Sequence, residues 1–472
     1  MARMTSLTRQ LAEVVAATTY ADLPPETRED AYRAILDWLG SVLAGAVEAP
    51  ARLAQQVVGS FGASKEATVF GAGRASAAAA ALANGVASHI LELDDIHRGS
   101  TVHASAPIIP AALAVAEREH ADGHAFMTAV TLGYEAALRI GEAVNPSHYR
   151  YWHPTGTVAT FGAAAAAGSL VKLNADQMLD ALGSAGTQAA GLWEFNADGS
   201  MSKHLHPGKA AFNGVLSADL ARAGFTGARR ILEGDRGFFR AFSTGHDPTR
   251  VTDGLGARWK IGENGYKLHS CCGHTHTAID VALELRSQQH WTPDDVMTHV
   301  AAVHVETYAP GYEIVNESNP RSPYQAKFSM AYCVAVALLE GRVGLDQFAP
   351  ERFSPAGVRE GALASLLRRP VVSAEEDLTR TYPAAWPARV TLTLGDGSMI
   401  CGAGDVPKGN PENPVSTCQL DEKLVALVGS RIGHDAAEKA LRAMRGLEAC
   451  PDMAELFRNL SNEQRAMSKS CG

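Results

Sequence analysis

From Thr5 to about Gly265 the apolar residues recur at close to the 3.6-residue period, which commits more than half of the chain to packed helices. The segments that carry the pattern are Leu7 to Ala17, Glu26 to Ala46, Ala77 to Leu93, Ala106 to Glu119, Ala125 to Val144, Gly156 to Val171 and Ala175 to Gln188. Small residues dominate their apolar faces, as in Phe161-Gly162-Ala163-Ala164-Ala165-Ala166-Ala167-Gly168, so neighbouring helices can approach closely. After about Tyr266 the pattern changes. Thr298 to Tyr308 alternates in the manner of a strand, and Gly395-Asp396-Gly397 marks a hairpin within Ala388 to Cys401. Helices are expected there at Thr277 to Gln288 and Tyr324 to Glu340. Pro407 to Pro414 reads as a linker, and Asp421 to Val428, Asp435 to Leu447 and Met453 to Leu460 return to helix. The expected fold is mainly α: a large helical domain over 1–265 and 406–472, discontinuous in sequence, with a smaller α+β domain inserted at 266–405.

At 472 residues and 46% hydrophobic, the chain can bury large cores. Its formal net charge of −9, with no basic tract, argues against a nucleic-acid partner. No apolar run reaches the length of a membrane span, and Met1 to Gln10 lacks the apolar core of a secretory signal, so a cytoplasmic location with no membrane partner is expected. Seven cysteines, of which Cys271 and Cys272 are adjacent and the others scattered, form no disulfide framework and fit a reducing compartment. An anionic ligand of so acidic a chain must be met by a local basic pocket.

Three clusters qualify. The first runs from His89 to His103 and crowds Glu92, Asp94, Asp95, His97, Arg98 and His103 at one helix end; adjacent carboxylates and imidazoles tune one another's proton affinity. The second is Lys203-His204-Leu205-His206-Pro207-Gly208-Lys209, expected just ahead of a helix Ala210 to Gly224 that Pro207 would open, with His153-Pro154-Thr155-Gly156 as a companion. The third is Lys267 to His276, at the inferred domain boundary. Each alone also fits a solvated polar turn. Cys271 or Cys272 with His274 and His276 offers zinc-type donors, but adjacent cysteines without a second pair do not match structural zinc spacing, and no residue is assigned to a metal. Dinucleotide, phosphate-loop and nucleophile-elbow motifs are absent.

Taken in order, these pieces resemble the MmgE/PrpD family over nearly the whole chain: Asp94 to Pro107, His153-Pro154-Thr155-Gly156-Thr157, Ser202-Lys203 to Lys209-Ala210-Ala211, Lys267 to Asp280, and Arg321-Ser322-Pro323 to Lys327-Phe328-Ser329. Members include 2-methylcitrate dehydratase, cis-aconitate decarboxylase and iminodisuccinate epimerase. The resemblance implies a helical domain with an inserted α+β lid, a homodimer, and chemistry on a small di- or tricarboxylate without a cofactor; if the lid closes over the site, Gly265 at the domain boundary is the expected hinge. Breaking a bond alpha to a carboxylate requires cations to neutralise that carboxylate while a base handles the proton. The resemblance places Asp94, His103, His153, Lys203 and Lys267 on active-site positions. His103 is expected as acid/base, Asp94 as its orienting group, and Lys203 and Lys267 as carboxylate anchors. His153, Arg98, His206, His269 and Arg321 are expected to bind substrate, and Cys272 is either a proton carrier or a buried small hydrophobe. Decarboxylases of the family carry a histidine five positions after the lysine and an aromatic two after it, where this chain has Cys272 and His269. That departure puts the decarboxylase low; the residues do not decide between dehydratase and epimerase, so the dehydratase, the better-known activity of the family, is expected first, the epimerase close behind, and a decarboxylase or a non-catalytic binding protein last.

Overall fold

The computed structural model describes residues 6–353 and 361–458. They form two compact units, one from the described parts of 1–90, 94–264 and 416–472, the other from 91–93 and 265–415. The divisions fall at Asn264/Gly265 and Val415/Ser416, and the tripeptide Leu91 to Leu93 joins the second unit.

The first unit is mainly helical. Its core helices are Pro25–Gly45, Ala77–His89, Ser105–Arg118, Gly123–Val144, Pro154–Leu170 and Ser202–Arg222. The small residues do what their pattern implied. A Cβ on Gly162 would lie 2.5 Å from the Gly133 carbonyl oxygen, so Gly123–Val144 and Pro154–Leu170 cross backbone against backbone. Likewise a Cβ on Gly85 would lie 2.7 Å from the Gly208 Cα, which locks Ala77–His89 against Ser202–Arg222. Gly208→Ala, whose Cβ would sit 2.6 Å from the Leu82 carbonyl, is expected to destabilise the fold by about 1–3 kcal/mol. A thermal unfolding midpoint equal to wild type would show that this crossing opens freely.

Two sequence expectations need correction here. The helix expected to reach Leu93 stops at His89, and Glu92 takes a left-handed backbone at φ 57, a conformation that no helix can continue through. The basic cluster does not precede a helix; it lies within Ser202–Arg222, with Pro207 inside. Proline there removes the bond that the Lys203 carbonyl would accept, a loss held to a single turn near the helix start. The helix Ala49–Gly59 and the two-stranded pair Ala67–Val69 with Gly73–Ala75 were not foreseen. Of the terminal stretch expected as helix, Met453–Leu456 is helical, and Asn459 and Leu460 lie outside the described residues.

The second unit is built on a four-stranded sheet in the order Pro370–Ala374, Val300–Thr307, Ala388–Leu394, Met399–Gly404, with the first pair parallel and the others antiparallel. Val303, Val305, Val390 and Leu392 alternate onto the buried face, against the helices His276–Gln288 and Met330–Glu340. In the hairpin, the Asp396 carboxylate accepts from the Ser398 backbone N–H at 2.9 Å and Gly397 takes φ 87, as its turn requires. The helix expected at Tyr324 to Glu340 is two helices, Pro323–Lys327 and Met330–Glu340, because the Ser329 hydroxyl caps the second by accepting from the Tyr332 N–H. Among the described residues no single helix is long and apolar enough to cross a membrane.

Candidate active site

The Gly85–Gly208 crossing decides the geometry. Each glycine stands one turn from a histidine, so the end of Ala77–His89 and the start of Ser202–Arg222 bring the His89 and His204 rings to a 6.1 Å centroid separation. His153 arrives from a third direction, as the N-cap of Pro154–Leu170, with proline at the first helical position fixing the entry. Its ring lies 5.6 Å from that of His89 and 6.2 Å from that of His103. His103, in the loop ahead of Ser105–Arg118, is held by its backbone N–H donating to the Thr155 hydroxyl at 3.1 Å.

Two rings are each held at Nδ1 by an oxygen of the Asp94–Asp95 pair. His103 Nδ1 stands 2.7 Å from the Asp95 carbonyl oxygen, which can only accept, so Nδ1 carries the proton and Nε2 is the basic nitrogen of the neutral ring. His89 Nδ1 likewise faces Asp94 Oδ2 at 2.6 Å, and the same oxygen lies 3.5 Å from His103 Nδ1. Asp94 thus orients two imidazoles. Asp95 is fixed in turn. Its carboxyl accepts from Tyr134 Oη at 2.5 Å, Asn264 Nδ2 at 2.9 Å, and the Ser105 backbone N–H and hydroxyl at 3.0 and 2.7 Å. Complete burial nonetheless pushes its pKa up to about 6.

His153 and His206 meet Nδ1 to Nδ1 at 3.0 Å. Only one of the two can hold the shared proton, so the rings are opposite tautomers, one presenting Nε2–H and the other an Nε2 lone pair. Burial first, then the neighbouring His206, His89, Lys203 and His103, hold His153 well below the usual imidazole range. Burial, His89 and Lys203 bring His206 down to about 4. His206 is therefore neutral above about pH 5, and His206→Gln is expected to lower the level of a kcat/KM profile without moving its midpoint between about pH 5 and 8. A displaced midpoint would show that His206 titrates in that window. Lys203, 2% exposed, supplies the buried positive charge of the cluster.

In the second unit, Lys267 is 1% exposed and donates to Glu92 through both its carbonyl, at 3.2 Å, and its Oε2, at 3.3 Å. The Leu91 carbonyl accepts from the Ser270 hydroxyl at 2.7 Å and Lys327 Nζ at 3.0 Å. Three side chains therefore moor the tripeptide Leu91 to Leu93. His269 Nε2 stands 2.9 Å from Asp280 Oδ1, and His274 Nδ1 2.5 Å from Tyr308 Oη. Burial, Lys267 and His276 lower His274 to about 3.

A model of the MmgE/PrpD N-terminal domain matches residues 9–251, and one of the MmgE/PrpD C-terminal domain matches residues 269–449. The chain belongs to the MmgE/PrpD family. A relative named cis-aconitate decarboxylase-like protein oryM, from Aspergillus oryzae, is 27% identical over 97% of this chain and 98% of its own. Cis-aconitate decarboxylases of Aspergillus terreus, at 28% over 93% of both chains, and of Homo sapiens, at 26% over 96% of this chain and 94% of its own, are similar to it as well. The protein is an enzyme of the MmgE/PrpD lyase type.

Within this MmgE/PrpD enzyme, the helical unit gathers Asp94, His103, His153, Lys203 and His206 into one cluster. It adds His89, His204 and Asp95, which sequence reasoning passed over as site residues. Their signal was present: His89 stands five residues before Asp94, and His204 beside Lys203. Lys209 leaves the group, for it is exposed and turns to Asn213. Arg98 is half-buried in the turn closed by the His97–Val102 bridge. Arg321, expected at substrate, is exposed, and its backbone N–H donates to Gln325 Oε1 at 2.7 Å. Cys272, 8% exposed, belongs to the apolar core of the second unit, which favours the small-hydrophobe reading. Among the described residues, two groups bring three metal-ligating atoms within 4.8 Å of one another: His89, His103 and His153, and His97, Glu142 and Glu263. The second already holds a cation, since Lys260 Nζ lies 2.9 Å from Glu142 and 2.8 Å from Glu263.

Proposed function

We propose that the enzyme is a cofactor-independent dehydratase of a small hydroxy-tricarboxylate of the 2-methylcitrate type. The observation that carries this reading is the fixed tautomer of His103, whose Nδ1–H is committed to the Asp95 carbonyl and whose Nε2 is thereby a base. His103 Nε2 removes the proton from the carbon alpha to a carboxylate. The neighbouring hydroxyl accepts a hydrogen bond from the one Nε2–H that the His153–His206 pair presents, and leaves as water after taking up the proton that His103 carries as an imidazolium. Lys203 offsets the carboxylate charge that grows as the C–H bond breaks.

A second reading, cis-aconitate decarboxylation, is favoured by the activity named for the relatives. Cys272 and His269, at the two positions where this chain leaves the decarboxylase pattern, weigh against it. Proton NMR in D2O with 2-methylcitrate, citrate, cis-aconitate and iminodisuccinate stereoisomers separates the readings. Vinyl signals from a hydroxy acid support the dehydratase. Release of CO2 from cis-aconitate replaces it with the decarboxylase, and alpha deuteration with stereoisomer exchange and no alkene replaces it with an epimerase. A His103→Ala enzyme matching wild type would overturn the acid–base assignment itself.

A further inference from the structure

We propose that His89, His103 and His153 form a binding site for a divalent transition metal of the zinc type, and that its occupation silences the acid–base cluster. The first observation is an unmet need. His89 is fully buried, and its Nε2 has no hydrogen-bond partner. Its Nδ1 is taken up by Asp94 at 2.6 Å, so Nε2 is the ligating position the ring has left, and an unpaired polar nitrogen in the interior is costly. The surrounding side chains supply no partner to this nitrogen. A metal cation does.

The second observation is that all three rings meet the requirements of a ligand. Their ligating atoms lie within 4.8 Å of one another. Three imidazole ligands select zinc, cobalt, nickel or copper over magnesium or calcium, which prefer oxygen. Behind His89 stands the Asp94 carboxylate and behind His103 the Asp95 carbonyl, the outer-shell partners that orient metal-bound histidines and raise their basicity. Behind His153 stands His206. Tetrahedral zinc with bonds of about 2.0–2.1 Å sets ligand nitrogens about 3.3 Å apart, so the rings must close inward on the ion. Three protein ligands leave the fourth position to water or a carboxylate oxygen.

Binding uses the His103 Nε2 lone pair, the same pair that the proposed elimination needs, so metal and turnover exclude each other. This inhibitory half rests on the proposed function; the binding half does not. The test is a Co2+ titration of EDTA-stripped, full-length protein, read by visible absorption and back-titrated with Zn2+. One Co2+ per chain with bands displaced by Zn2+ is expected. His89→Gln and His153→Asn should abolish the bands, and Asp94→Asn should weaken affinity about 10–100-fold. His97→Gln, in the other group, should leave them unchanged. Circular dichroism checks that each variant folds. Failure of Co2+ to give bands, or bands indifferent to both His89→Gln and His153→Asn, overturns the site. Bound Co2+ or Zn2+ that leaves turnover unaffected overturns the inhibitory half. Metal bound with no turnover on any tricarboxylate leaves the site standing and removes the dehydratase.

Discussion

His103→Asn is expected to lower kcat by about 10²–10⁴-fold with little loss of stability. The asparagine amide can donate to the Asp95 carbonyl as Nδ1–H does now at 2.7 Å, so the loop keeps its anchor. What it lacks is a basic nitrogen in place of Nε2. If His103 served only to pin the loop, the asparagine variant, which keeps the anchor, would be nearly as active and as stable as wild type. Steady-state kinetics beside a thermal melt distinguishes the cases. A kcat within tenfold of wild type at an unchanged melting midpoint would remove His103 from the chemistry.

Lys267→Met is expected to destabilise the fold by about 3–5 kcal/mol, the scale for leaving a buried charge without its partner. Glu92 is 2% exposed, and the Lys267 ammonium bonds both its carboxylate and its carbonyl. Glu92 also holds a left-handed backbone at φ 57, which the moorings of Leu91 to Leu93 must maintain. The double variant Glu92→Gln/Lys267→Met removes both charges and should recover much of the loss. Chemical denaturation of the two single variants and the double gives the coupling. Additive effects would mean that the two side chains do not support each other. Lys267 would then be an anchor for an external carboxylate, as its family position implies, with no part in holding the segment.

The helical class, the change to an α+β pattern after Tyr266 and the three clusters were all legible in the chain, because each rests on near neighbours. A 3.6-residue apolar period, a Gly-Asp-Gly between alternating runs and a His-Pro-Thr-Gly at a helix start act over a few residues, and a single sequence displays them in full. The family could be read for the same reason, as short motifs kept in order.

The tertiary structure decided which of these residues meet and in what state of protonation. Nothing local says that Ala77–His89 stops short of Glu92, since the left-handed turn there is held by Lys267, far along the chain. Nor does local pattern give the meeting of His89, His153 and His204, which depends on Gly85 and Gly208 letting two backbones touch. The raised Asp95 and the lowered His153 and His206 are sums over burial and the charges of distant elements. Sequence fixes the donors and acceptors; the low-dielectric interior, assembled only when helices far apart in the chain pack, determines which of them carries the proton.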